Sequence, residues 1–315
     1  MFVNEVYESI WKDRYQKNGE SYDNQLWRVA DFVASAEGDW NAPKWAEKFF
    51  SIMKEGYFFP AGRTMSNAGI GEKLTLNNCF VAPIVGNSME QIFNAVKLGA
   101  MTHKAGGGIG YAFSNLAPNG YRTRNDAIAS GPVSFMDVFN AQTATVQQGS
   151  RRGANMGMLS VYHPDILEFI HAKSATEGRL NHFNLSVVVD DAFMNLVITN
   201  GQVQLHWPIY DEKGNKLPPD KWDKQFTKLV PARDIWNEIM QMAYDNGEPG
   251  VFYEDNANNR NPAWYVERIV CSNPCAEYLA GTINATDPSQ YGGACNLGSL
   301  FLHNFVKNPF TKQAL

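Results

Sequence analysis

The chain has 315 residues, 44% hydrophobic and 13% aromatic, which is enough for a sizeable core in one large domain or two. Its 32 acidic side chains outnumber 27 basic ones, for a formal charge of −5, so no basic nucleic-acid footprint is expected. No apolar run approaches the roughly 20 residues of a membrane span, and the polar start "MFVNEVYESIWKDRYQKNGE" does not read as a signal peptide. The four cysteines (Cys79, Cys271, Cys275, Cys295) are few for a secreted disulfide scaffold and imply reduced thiols in a cytoplasmic setting. Zinc fits poorly: Cys271 and Cys275 have a ligand-like spacing, but the other two lack companions at short range, so no metal site is expected.

Residues 1–58 read as a helical N-terminal segment, with apolar residues at three- and four-residue spacing in "DNQLWRVADFVASAE" and "APKWAEKFFSIMKEGYF". Asn41 followed by Ala-Pro marks a helix start. The glycine-rich "FPAGRTMSNAGIGEK" is a connector into a second domain over 59–315. There the pattern alternates. "TLNNCFVAPI" is strand-like, "NSMEQIFNAVKLGAMTHKAG" is a helix capped by Asn87 or Ser88, and "GGIGYAFSNLAP" is a strand. A helix at "GPVSFMDVFNAQTATVQQ", a strand at "ANMGMLSVYHP" and a helix at "DILEFIHAKSA" follow, with Asp165 as its cap. "FNLSVVVDDAFMNLV" is a strand running into a helix, and "PARDIWNEIMQMAYDNGEPGVFY" is a helix, a turn and a strand. Strands alternating with helices predict parallel α/β architecture with function at the strand ends. The closing "CNLGSLFLHNFVKNPFTKQAL" reads as a strand and loop that need cover from a partner chain or a missing half.

Five stretches carry candidate chemistry. "AGGGIGYAFS" lacks the Lys-Ser/Thr ending of a phosphate loop and precedes a strand, so its glycines point to close backbone packing more than to phosphate. "GYRTRNDAIASGP" and "QQGSRRGANMG" each set two arginines among glycines: Arg122 and Arg124, then Arg151 and Arg152. Guanidinium groups beside glycines suit a nucleotide phosphate, although solvated loop charge explains them equally well. His163, in "VYHPDILEF", reads as structural. In "SNPCAEYL", Asn273, Cys275 and Glu277 occupy alternate positions, which an extended backbone would aim the same way. An amide, a thiol and a carboxylate so placed can orient a hydroxyl, act as nucleophile, ligand or hydrogen-atom abstractor, and accept a proton.

Taken together, "TLNNCFV", "AGGGIGYAFSNLAPNG", "ASGPVSFMDVFN", "QGSRRGANMGMLSVYHPDILEFI", "GEPGVFYEDNANNRNP", "NPCAE" and "GGACNLGS" resemble, in order, the catalytic subunit of ribonucleotide reductase. "RRGANMG" and "GEPGVFYEDN" resemble the adenosylcobalamin-dependent class II most. The resemblance implies an α/β fold, the first half of a ten-stranded α/β barrel with a central finger loop, preceded by the helical N-terminal segment. It implies that Cys275 carries a thiyl radical, that Asn273 and Asn78 bind substrate, and that Glu277 takes the 3′-hydroxyl proton. Cys79 and Cys295 match the pair oxidised to a disulfide during reduction; Cys271 matches no role and reads as structural. Residues 120–131 and 148–155 match two loops of the allosteric specificity site. That implies a deoxynucleoside triphosphate effector near Asn87, Arg122, Arg124, Arg151 and Arg152, and a homodimer. A thioredoxin-like or dithiol reductant and a C-terminal chain completing the barrel are implied as partners, as in the split genes of some phages. The family's ATP-cone and second barrel half have no counterpart here, and the isolated chain is expected to be inactive. The resemblance also leaves open a metal-radical class I fragment or a non-catalytic, deoxynucleotide-binding regulatory fragment.

Overall fold

The computed structural model describes residues 5–71, 74–123, 126–146, 153–174, 178–211, 214–281, 283–284 and 292–313. The chain divides into two compact units, residues 1–78 with 295–315, and residues 79–294.

The first unit is mainly helical: α1 (Glu5–Arg14), α2 (Tyr22–Ala34) and α3 (Ala42–Lys54), then strand β1 (Phe58–Pro60) and α4 (Gly62–Asn67). Ser21 caps α2 by accepting the Asn24 N–H, and α3 opens after Asn41 with proline in its first turn, as expected. Leu26, Val29, Ala30 and Met53 are buried between α2 and α3, where Trp27 stacks on Phe50 at 4.2 Å. Gln25 is fully buried yet satisfied: it accepts the Trp11 indole N–H and donates to the Met65 carbonyl. The strand predicted near the end of the chain forms at Gly298–Leu300 and pairs antiparallel with β1.

The second unit is the α/β half-barrel expected from the sequence. Strands β2 (Cys79–Val81), β3 (Gly108–Ala112), β4 (Asn155–Ser160) and β5 (Phe183–Val189) lie side by side in chain order, all parallel. Their crossovers are α5 (Met89–Ala105), α6 (Pro132–Thr145) and α7 (Ile166–Ile170). After β5 the chain forms α8 (Asp191–Thr199), the antiparallel pair β6 (Gln202–Leu205) and β7 (Lys228–Pro231), and α9 (Ala232–Asn246). It then returns as β8 (Gly250–Tyr253), parallel to β5. Helix α10 (Glu254–Asn259) follows directly.

Alternation along each strand decides the two faces. Ile109, Tyr111 and Phe113, with Phe183, Leu185, Val187 and Val189, join the large core under the helices. Ala112, Met156, Met158, Val188 and Phe252 face the other way and form a second core with Ile269, Val270 and Cys271. Burial on both faces explains why these strands read as nearly continuous apolar runs.

Local chemistry settles two boundaries. Ser88, not Asn87, caps α5, in a full capping box with Gln91. Helix α7 is shorter than predicted, and Asp165 does not cap it with its side chain. Instead the Asp165 carboxylate accepts the Asn119 N–H at 2.8 Å.

Candidate active site

The thiol loop lies directly on the inner face of the sheet. A Cβ added at Gly110 would sit 1.7 Å from the Ser272 carbonyl oxygen, and one at Gly108 would sit 2.9 Å from Pro274 Cγ. These two inward positions of β3 are therefore glycine because another backbone passes over them. Gly108 and Gly110 thus reflect close packing, the favoured reading of the sequence, whereas Gly106 ends α5 in the left-handed conformation. Asn184, on the inner face of β5, donates its amide to the Pro274 carbonyl at 2.8 Å and ties the loop across the strands.

Residues 272–279 are not extended. Ser272 and Leu279 form an antiparallel bridge, and between them the chain reverses. The Asn273 N–H donates to the Tyr278 carbonyl at 3.2 Å, and the Ala276 N–H to the Asn273 carbonyl at 3.1 Å. Ala276 has φ +64°, the left-handed conformation that closes the turn. The alternation rule for Asn273, Cys275 and Glu277 therefore fails. Asn273 is wholly buried at the root, whereas Cys275 and Glu277 are exposed near the tip. Asn273 itself makes the turn, because its Oδ1 accepts the Tyr278 N–H at 2.9 Å. Its Nδ2 is buried with no partner among the described residues, a donor left available at the base of the loop that carries the thiol.

The four cysteines differ sharply. Cys275 is exposed, and the other three are buried. Burial pushes the Cys271 thiol well above its ordinary range, and it donates to the Ser272 carbonyl at 3.3 Å. That fits the structural role expected for it. Cys79 opens β2. Val81, two residues on, donates its N–H to the Gly293 carbonyl. A Cβ at Gly292 would meet the Val81 carbonyl oxygen at 2.3 Å, so Gly292 marks another close backbone approach. In the first unit, Cys295 accepts the Asn78 N–H at 3.0 Å on its carbonyl, and the Asn78 side-chain oxygen is buried without a partner among the described residues.

Beside the loop opens a cleft of about 520 Å³ against the middle of β4 and β5 and along β8. Met158, Ser186, Phe252, Asn256, Arg260 and Ala276 are among its lining residues.

Of the expected effector residues, Arg124, Arg151 and Arg152 lie outside the described residues. Arg122 is exposed and bridges to Ile128, where residues 120–123 pair with 126–129. Asn87 is exposed, but its Oδ1 is committed to the Ala117 N–H at 2.7 Å. His163 is fully buried: its Nε2–H donates to the Leu116 carbonyl at 3.0 Å, and its Nδ1 accepts the Asp165 N–H at 3.1 Å. With both nitrogens so used the ring is neutral, and burial brings its pKa down to about 4. Asn87 from one segment, and His163 and Asp165 from another, thus pin residues 116–119 just ahead of Gly120. Sequence reasoning missed Asn184 and the inner-face role of Gly110; each is visible only once β3, β5 and the loop are superposed.

Two family descriptions match the chain: "Ribonucleotide reductase, all-alpha domain" over residues 1–73 and "Ribonucleotide reductase, barrel domain" over residues 77–315. The "Vitamin B12-dependent ribonucleoside-diphosphate reductase" of Thermoplasma acidophilum is 37% identical over 270 residues, covering 84% of this chain and 32% of the relative. The protein of that name from Mycobacterium tuberculosis is 36% identical over 295 residues, covering 92% of this chain and 39% of the relative. The "Ribonucleoside-diphosphate reductase large chain" of Schizosaccharomyces pombe is 28% identical over 281 residues, covering 82% of this chain and 33% of the relative. The chain spans about a third of the length of these relatives. A half-barrel whose inner-face glycines admit a loop tipped by Cys275, matched over 77–315 to the barrel description, places the chain in the ribonucleotide reductase large-subunit family.

Proposed function

We propose that this chain supplies the radical thiol of a ribonucleotide reductase and acts with the remaining barrel strands, whether these belong to the same protein or to a second chain. The observation that carries the reading is the loop over β3. It presents an exposed thiol, Cys275, at its tip, and at its root the buried Asn273 Nδ2, which has no partner among the described residues. Such a tip can meet a radical source, and a completed barrel around it would exclude water.

The reaction then balances within named groups. The Cys275 thiyl takes the 3′-hydrogen of a ribonucleotide as a hydrogen atom. Glu277, exposed on the same loop, accepts the 3′-hydroxyl proton, which eases departure of the 2′-hydroxyl as water. The buried thiols of Cys79 and Cys295 deliver two electrons and two protons to the nucleotide and become a disulfide. Cys275 returns its hydrogen atom to the 3′-carbon. Asn273 and Asn78 orient the substrate, and a thioredoxin-like or small dithiol restores the pair. Adenosylcobalamin, when bound, supplies the one-electron oxidising equivalent that removes a hydrogen atom from a thiol. Cys275 is the residue of this chain that must face it, and its exposure fits that requirement. Residues 120–131, held in place through the Asn87 bond to Ala117, are read as the first effector loop, taking a deoxynucleoside triphosphate in a homodimer.

Reconstitution tests the reading. The chain is combined with the remaining barrel segment, a dithiol and either adenosylcobalamin or a radical-generating protein subunit. Cobalamin-dependent formation of deoxyribonucleotide, abolished in Cys275→Ser, is the expected result. Turnover only with the protein subunit moves the chain to class I, and no turnover in a verified complex removes the catalytic reading.

A further inference from the structure

Helix α10 and the turn after it grip three consecutive residues on the ascending arm of the thiol loop. Asn261 Nδ2 donates to Glu267 Oε1 at 3.1 Å. Glu254 Oε1 accepts from Arg268 Nη2 at 3.0 Å. Asn258 holds the backbone of Ile269 from both sides: its Oδ1 accepts the Ile269 N–H at 2.9 Å, and its Nδ2 donates to the Ile269 carbonyl at 2.8 Å. Two bonds to the N–H and C=O of one residue are what a neighbouring strand would make. Strand pairing on this arm stops at Arg268 and resumes at Ser272 among the described residues, and Asn258 acts within that gap.

The grip is itself fixed. Glu254, only 1% exposed, also meets Lys216 Nζ at 3.0 Å and the Tyr210 hydroxyl at 3.3 Å. Lys216 reaches Asp190, directly after β5, at 2.6 Å. The helix is thereby locked to the ends of both β5 and β8. A carboxylate so buried and so paired is a rigid anchor, because removing one partner strands a charge.

We infer that α10 is the register clamp of the thiol loop and that Asn258 is its positioning residue. The side-chain amide pairs with a single backbone residue. Without that pairing the arm is free to slip or lift from its seat, which shifts Cys275 and opens a route to Cys271, buried two residues beyond Ile269. The clamp is argued from the geometry of this chain; its value for turnover rests on the proposed function.

Peptide-resolved alkylation of the 315-residue chain with N-ethylmaleimide tests it, using Cys271 as reporter and Cys79 in β2 as internal control. Loss of both Ile269 bonds in Asn258→Ala raises Cys271 modification roughly tenfold, with Cys79 unchanged. Asn258→Asp, which still accepts the Ile269 N–H, falls between. In the complete reductase, Asn258→Ala lowers kcat while the nucleotide KM stays at the wild-type value. Unchanged Cys271 protection overturns the clamp, and so does an equal rise at Cys79, which would mean general loosening. If Cys271 responds but even the wild-type complex fails to reduce nucleotides, the clamp stands and the catalytic reading falls.

Discussion

Gly110 lies so close beneath Ser272 that a Cβ on it would sit 1.7 Å from the Ser272 carbonyl oxygen. The contact is backbone against backbone, so no side-chain rotation relieves it. Gly110→Ala therefore forces the loop off β3 or bends the strand, at a cost of about 1–3 kcal/mol or more. Urea unfolding should show a lower midpoint, and turnover in the complete reductase should fall below detection. A fully active, equally stable Gly110→Ala protein would show that the loop is not seated on the strand as described.

Thiol reactivity should separate the cysteines in a fixed order. Cys275 is exposed, whereas Cys79, Cys271 and Cys295 are buried, and burial raises the Cys271 pKa far above neutrality. Under native conditions a maleimide should modify Cys275 in a fast phase that Cys275→Ser removes. The other three should react on the timescale of opening or unfolding. Fast modification of Cys271 in the wild-type chain would contradict its place in the core.

How much of this was legible in the sequence depends on the range of the interaction. Strand and helix alternation was readable because β3, β4 and β5 are apolar on both faces and α5 opens with a local capping box. The glycines of β3 were readable as a close approach, but what approaches them was not. The spacing of Asn273, Cys275 and Glu277 misled because the alternation rule presumes extended backbone. Here Asn273 captures the Tyr278 N–H and Ala276 adopts a positive φ, so the segment folds back. Asn258 was quoted only within a family motif. Its pairing with Ile269 spans 11 residues and follows no helical or strand period.

His163 and Asp165 make opposing contributions to stability with pH. Burial raises Asp165 to about 6, so the folded state holds its proton more tightly than the unfolded one. Its favourable contribution is complete below the usual carboxylate range and is lost as pH rises through about 6. His163 is lowered to about 4, so its contribution is present above its ordinary pKa and is lost as pH falls toward 4. For the fully buried imidazole the difference is about 3 kcal/mol. Asp165→Asn keeps an acceptor for the Asn119 N–H and removes only the acidic group's slope. The variant should be more stable than wild type at pH 7 and should lose stability more steeply between pH 6.5 and 4. Urea midpoints across that range decide the matter, and parallel profiles for the two proteins would refute it.

Under the proposed function Asn273 serves both folding and chemistry, and the two can be separated. Its Oδ1 holds the Tyr278 N–H, and its buried Nδ2 has no partner among the described residues. Asn273→Ala removes both groups, and losing the turn bond costs about 1–3 kcal/mol. Asn273→Asp keeps the acceptor for Tyr278 but offers no amide donor to a ligand. If the amide orients substrate, Asn273→Asp should retain the slow alkylation of Cys271 that marks a seated loop and still lose most turnover in the complete reductase. Asn273→Ala should lose turnover and also expose Cys271. Normal turnover in Asn273→Asp would confine this residue to building the turn, and the substrate's hydroxyls would have to be held by other groups.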